Sequence, residues 1–512
     1  VTHCGTALQA KFGGLSNPST FQFSWTWQEP DSILDHQKRK RSRPERDPVT
    51  ILLKQLFSRY ISQEARPMLR LALPLVTAEL GWMAMMGVDT MMVGRQANSA
   101  VAIGAVSLGS ILYYAVAIFG TGLMLGLDTL VPHSYGAGDV EDCHRSLVNG
   151  VYLSLGLAPI LMGLVWCWEP MLRRLAIDPQ VLAQAIPYLR TLNWSTLPLL
   201  FYFTFRRYLQ GIDLAKPVMF SLVTANLVNV VGNWALIYGH LGVRAMGTVG
   251  SGWSTCVART YMAAVLMVYC VYYDRRHKTG LREASRRPHL PRLRKLLSLG
   301  FPAAMQYGLE VGVFAVTTTL IGKLGAVPLA GHQIALNTVS FTYMVPLGIS
   351  AAAAVRVGQA LGRGDTEGAS RAGWTAMALG ASFMTLMAIA FWTVPRYIVR
   401  IYTPATDVLR TASALLFVAA FFQLFDGLQT VATGALRGAG DTRTPMICHL
   451  IFYWVVGLPL GYYLCFRRGW GAAGLWTGLS VALICIGIAL LIFWRRRERI
   501  FSLAEAAPTA AS

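Results

Sequence analysis

Four carboxylates lie inside stretches of this chain that are otherwise apolar. They are Glu79 in "TAELGW", Asp89 in "MMGVDTMMVG", Glu310 in "QYGLEVGVF" and Asp426 in "FQLFDGLQTV". A charge at membrane depth costs several kcal/mol, so such acids are functional by default. Asn226, Asn229 and Asn233 lie in another apolar stretch, "ANLVNVVGNW"; Asn229 and Asn233, four residues apart, share one helix face. Their amide oxygens, joined to a carboxylate, would form the oxygen-lined site that a hard cation needs. Burial strengthens a carboxyl group's hold on its proton, and a nearby cation weakens it. A buried acid can therefore exchange a proton, a metal cation or an organic cation, which is the chemistry of cation-coupled antiport. Glu79 lies roughly 280° round the helix from Asp89 at about 100° per residue. It faces elsewhere, as a structural group or as an accessory acid in a relay.

A substrate wall is the second candidate feature. "FYFTF" holds Phe201 and Phe205, "FFQLF" holds Phe422 and Phe425, Tyr307 precedes Glu310, and Met86 belongs to a methionine-rich run. Such residues can form an adaptable surface for flat, lipophilic cations through cation–π and thioether contacts. They can equally be packing or lipid-facing groups.

These side chains need elements to hold them. Of the 512 residues, 54% are hydrophobic and only 14% are charged, well below the quarter usual in soluble domains. Cutting at the polar clusters leaves about twelve apolar segments long enough to cross a hydrocarbon core of about 30 Å. They fall at roughly 69–93, 104–132, 146–166, 187–209, 217–239, 247–273, 297–322, 329–357, 371–394, 408–435, 445–466 and 471–494. Barrel strands would be shorter and strictly alternating, so the expected fold is an all-α polytopic membrane protein.

The net charge of +20 does not imply a nucleic-acid partner. Lys and Arg gather before the first span, in "DRRHKTGLREASRRPHLPRLRK" between spans six and seven, and in "WRRRER" after span twelve. Twelve spans put all three on one side. Arg95, Arg244 and Lys323 are scattered on the other. This is the positive-inside pattern, with both termini cytoplasmic and anionic lipid as counter-charge. The eight cysteines show no paired spacing and read as small packing residues. The polar first 65 residues lack an apolar signal core and read as a disordered tail, or as residues ahead of the true start of translation.

The halves repeat. "LALPLV" matches "LGFPAA", "MMVGR" matches "LIGK", "YGAGD" matches "LGRGD", "YLQGIDLAKPVM" matches "ALRGAGDTRTPMI", and "GTVGSG" matches "GAAGLW", in order and about 224–228 residues apart. The predicted plan is a tail at 1–65, an amino lobe at 66–273, a basic linker at 274–296, a carboxy lobe at 297–495 and a tail at 496–512. Each lobe has six spans, so the lobes share one orientation about a pseudo-two-fold axis along the membrane normal, with the substrate cleft between them. The repeat partners of Asp89, Glu310 and Asp426 are about Thr317, Trp82 and Leu199, so each lobe carries its own acids. "GAGD" at 136–139 and "RGD" at 363–365 read as tight turns rather than phosphate loops, since no strand precedes them.

At these residues the chain resembles the MATE family of multidrug and toxic compound extrusion transporters, in its NorM-like branch. The matching words are "VDTMMVG", "EVGVFAV", "GHQIALN", "VGQALGRGD" and "LRGAGDTRTP", within residues 66–495. The resemblance implies exchange of a drug or metabolite for Na+ or H+ by rocking of two six-helix lobes. It implies an amino-lobe cation site at Asp89, Asn229 and Asn233, and carboxy-lobe acids at Glu310 and Asp426, with Na+ at either set. It assigns Glu79 no role. The expected protein is a monomer of the inner membrane that binds organic cations and lipid, with no cofactor beyond the coupling ion. A flippase for lipid-linked precursors, on a related plan, is the alternative. It needs a cationic cavity, whereas Arg190, Arg206 and Arg207 lie near span ends and can snorkel. An enzyme is not expected, since His332 and His449 look isolated near helix ends.

Overall fold

The computed structural model describes residues 48–96, 98–172, 174, 178–281, 283 and 287–506. Most of the expected amino-terminal tail lies outside them. The chain divides into a short unit, Val1–Leu56, and a main unit, Phe57–Ser512. The main unit holds the lobes.

Within a bilayer the backbone must satisfy its own hydrogen bonds, and helices do so within each segment. The amino lobe comprises α1 (Pro48–Val93), α2 (Ser99–Gly136), α3 (Val140–Leu172), α4 (Pro179–Asn193 continued by Thr196–Gly211), α5 (Ala215–Tyr238) and α6 (Thr248–His277). The carboxy lobe comprises α7 (Leu290–Gly322), α8 (Ala326–Gly362), α9 (Thr366–Thr393), α10 (Thr406–Gly438), α11 (Arg443–Arg467) and α12 (Ala472–Ala506). Among the described residues, eleven helices are long and apolar enough to span. The remaining predicted span is α4, which is broken at Trp194–Ser195 into pieces of 15 and 16 residues. Pro198 has no N–H to offer the Trp194 carbonyl four residues back, so the regular ladder lapses at the break.

Each lobe has its own apolar core. One large cluster belongs mainly to α8–α12 and draws in Met68, Leu71 and Leu75 of α1. The amino lobe holds two principal clusters, one around Leu127, Tyr202 and Leu222, the other around Tyr113, Tyr188 and Leu192. The predicted turns recur as one device. Gly138, Gly364 and Gly440 take φ of +77°, +74° and +82°. In each case the next residue is an aspartate that accepts from a backbone N–H three residues on: Asp139 from Asp142, Asp365 from Gly368, and Asp441 from Thr444. Glycine supplies the left-handed turn and aspartate caps the helix that follows.

The lobes meet most closely at the end that carries the linker. Thr129 Oγ1 donates to the Arg437 carbonyl at 2.6 Å, His133 Nε2 meets the Gly438 carbonyl at 2.7 Å, and Gln359 Nε2 donates to the Gly211 carbonyl at 3.1 Å. Backbones touch there. A Cβ on Gly136 would lie 2.1 Å from the Gln359 carbonyl oxygen, and one on Gly362 would lie 2.1 Å from that of His133.

Candidate functional site

The amino-lobe cluster forms where α1, α5 and α6 meet. Asn233 Nδ2 donates to Asp89 Oδ1 at 2.6 Å and to Asn229 Oδ1 at 3.1 Å. Thr255 of α6 donates to Asp89 Oδ2 at 3.2 Å. Asp89, Asn229 and Asn233 are all buried. The predicted convergence of these three residues is therefore present. The amide orientation differs from the expected oxygen-lined arrangement, since Asn233 turns its N–H to Asp89 and leaves its own Oδ1 unpartnered.

The carboxy-lobe acids gather on α7 and α10. Tyr343 of α8 donates to Glu310 Oε1 at 3.4 Å. Asp426 accepts from Gln429 at 3.2 Å and lies within electrostatic range of Glu310. His449 of α11 is fully buried, with Nε2 3.8 Å from Glu310 Oε2. Its Nδ1 meets the Pro445 carbonyl at 2.8 Å. A carbonyl only accepts, so Nδ1 is the donor and a neutral His449 turns a lone pair toward Glu310. A π-helical stretch, Leu450–Gly457, begins directly after it, a feature that often marks functional positions.

Asn226 stands apart from the carboxylates and donates to the Gly81 carbonyl at 3.0 Å. Glu79 is removed from the Asp89 cluster, as its helical phase required. It pairs with Arg206 of α4. That pair corrects the expectation that Arg206 and Arg207 snorkel: they are only 1% and 7% exposed. The break in α4 sets these arginines inside the lobe rather than at a free helix end. Arg207 faces Asp128 of α2 at 3.3 Å, and Arg437 of α10 faces the same carboxylate at 3.3 Å. This trio bridges the lobes, and Tyr307 bonds Arg437 beside it. Arg190 pairs with Glu169 at 2.6 Å and is largely exposed. The histidines are not isolated either: His449 meets Glu310, and His332 receives Trp476 Nε1 at 3.0 Å and contacts Thr318 Oγ1 at 2.8 Å.

The candidate substrate wall is only partly assembled. Tyr307 stands three residues before Glu310, so it lies close to the acids. Phe205 and Phe422 are buried in the lobe cores, which removes them from any wall. Phe201 packs edge-to-face on Phe205 with centroids 6.4 Å apart. Phe425 packs against Gly487 of α12. Met86 is exposed on α1.

Sequence reasoning passed over Asp128, Tyr343, Arg437 and Arg259. Asp128 in "GLDTLVP" and Arg259 in "TCVARTYM" carried the same signal as the four acids, a charge within an apolar run. Tyr343 and Arg437 become visible only when helices distant in sequence are brought together.

Comparison with known proteins follows the same two halves. One family model, MatE, matches at residues 74–235 and again at 302–463. A probable multidrug resistance protein NorM from Mesorhizobium japonicum is 38% identical over 86% of this chain and 95% of its own length. Another from Pseudomonas putida is 36% identical over 85% of this chain and 95% of its own length. The crystal structure of the eukaryotic MATE transporter AtDTX14 superposes with a TM-score of 0.78 at 20% identity, over 86% of this chain and 99% of that one, so the fold is shared. The doubled match and the near-full-length relatives mark a membrane protein built from two related lobes: the chain belongs to the MATE family.

Proposed function

We propose that the protein exports lipophilic organic cations, drugs or metabolites in exchange for an inward-moving Na+ or H+, by alternating access between its two lobes. One observation carries this reading. Asp426 is buried, Glu310 lies within its electrostatic range with only 12% of its side chain exposed, and among the described residues neither has a Lys or Arg partner within ion-pair distance. Two such carboxylates in apolar surroundings repel each other and need a proton or cation to stay together. An incoming cation and an outgoing one therefore compete for the same groups. The multidrug resistance names of the relatives agree with that chemistry.

In this account Glu310 and Asp426 take the coupling ion, Asp89 with Asn229 and Asn233 forms a second responsive group, and Tyr307 offers an aromatic face near the acids. The protein acts as a transporter rather than an enzyme, as a monomer of the inner membrane. The basic linker and both termini are placed in the cytoplasm, so the contacts around Gly136 and Gly362 close the cytoplasmic end. The flippase alternative asks for a cationic cavity. Three of the buried arginines do not favour it, since Arg206 is engaged by Glu79 and Arg207 and Arg437 share Asp128, while the fourth, Arg259, spends its donors on Ser195 and Tyr114.

The test is drug affinity of purified protein, measured against Na+ and separately against pH. Reciprocal linkage requires the coupling ion to weaken drug binding, and the drug to weaken ion binding by the same factor. Affinity for a permanently charged drug that is flat in both titrations, while transport proceeds, refutes the assignment.

A further inference from the structure

Arg259 on α6 is 2% exposed in the interior of the amino lobe. Its guanidinium donates to Ser195 Oγ at 2.6 Å and to Tyr114 OH at 2.8 Å. It lies 5.0 Å from the ring centroid of Tyr113, 5.6 Å from that of Tyr114 and 5.9 Å from that of Trp82. Ser195 belongs to the break in α4, so the broken helix holds this cation in place. Among the described residues no carboxylate comes within ion-pair distance of it. Yet Arg259 stands one helical turn beyond Thr255, whose hydroxyl bonds Asp89, and its charge acts on that carboxylate.

The amino-lobe cluster is thus charge-balanced without any added ion. Both oxygens of Asp89 already receive hydrogen bonds, and a permanent positive charge is buried nearby. Glu79 and Arg206 cancel in the same lobe. The carboxy lobe differs: Glu310 faces a histidine, and among the described residues no arginine comes within ion-pair distance of Glu310 or Asp426.

We propose that Arg259 is the ion-specificity residue of the amino lobe. Its fixed charge, held by Ser195, Tyr114 and the aromatic rings, keeps a metal cation off Asp89 and confines metal binding to the carboxy-lobe acids. This rests on the reading of Asp89 as a coupling group. That reading fails separately, if Asp89→Asn transports as wild type does.

The experiment is Na+ binding by calorimetry on the purified full-length chain, with Glu310→Gln and Asp426→Asn removing the carboxy-lobe site. With Arg259 present, no Na+ binding that depends on Asp89 is expected. Adding Arg259→Gln should raise Na+ affinity by about tenfold or more, since a like charge buried one helical turn from the group that bonds Asp89 opposes cation binding there through a poorly screened interior. Adding Asp89→Asn should abolish the gain, and Arg259→Lys should not produce it. Folding is checked by monodispersity and the thermal midpoint. A folded Arg259→Gln variant with no gain overturns the proposal. So does Na+ binding that disappears on Asp89→Asn while Arg259 is intact, a result that does not depend on whether any Arg259 variant folds.

Discussion

At the scale of single residues, the buried acids divide by their partners. Glu310 and Asp426 have hydroxyl, amide and imidazole neighbours but, among the described residues, no Lys or Arg held as an ion pair. Glu310→Gln and Asp426→Asn keep the side-chain shape and remove the charge. Each should reduce gradient-driven drug efflux about tenfold or more and change stability by only about 1 kcal/mol, because a buried amide is cheaper to accommodate than a carboxylate. Efflux assays paired with thermal melts check both halves of that statement. Glu79 should behave in the opposite way. Removing its charge strands a buried Arg206, which typically costs about 3–5 kcal/mol. Glu79→Gln is expected to destabilise the protein strongly, and a Glu79→Leu/Arg206→Met double variant to recover most of the loss. If Glu79→Gln melts like wild type while efflux collapses, Glu79 is a relay group and the structural reading is wrong. The acids themselves were legible in the sequence, because a carboxylate in an apolar run is conspicuous. Their partners were not. Tyr343 approaches Glu310 from another helix, and no spacing within one segment announces such a contact.

At the scale of helices, hydrophobic length located the spans, and what it did not reveal is that the fourth is interrupted. Segment 187–209 looked continuous, but Pro198 follows closely on the Trp194–Ser195 break, and the two pieces start and stop independently. Reading Arg206 and Arg207 as snorkelling groups failed for the same reason, since only the packed arrangement shows that the second piece runs through the lobe interior. The tight turns were legible because glycine and aspartate have few other uses side by side. The closest approach between helices of different lobes gives a further prediction. A side chain at Gly362 has nowhere to go, with the His133 carbonyl 2.1 Å and the Ala137 nitrogen 3.0 Å from its Cβ position. Gly362→Val should hold the linker-bearing end of the cleft apart. Spin labels on the ends of α2 and α8 should report a distance distribution moved outward by several ångströms. An unchanged distribution in folded protein would show that this contact does not govern closure.

At the scale of the whole molecule, the doubled sequence foretold the doubled fold, and the family match falls on the same two segments. What the repeat could not convey is how the lobes meet. Asp128, Arg207 and Arg437 form one cluster from both lobes, and no residue of the three taken alone announces the other two. Arg437→Gln should loosen this contact between the lobes. Charge-assisted contacts of this kind contribute about 1.5–3 kcal/mol, enough to shift a two-state equilibrium about tenfold or more in favour of the open state. Accessibility of a cysteine placed at Thr129 to a water-soluble reagent should rise accordingly.

The central claim is that the carboxy-lobe acids couple drug movement to cation movement. Its most direct test is efflux of a permanently charged lipophilic cation from proteoliposomes, with the Na+ and pH gradients imposed separately, for wild type and for the Glu310→Gln/Asp426→Asn double variant. The account predicts efflux driven by at least one gradient in wild type and by neither in the double variant. Gradient-driven efflux that survives loss of both acids would contradict it.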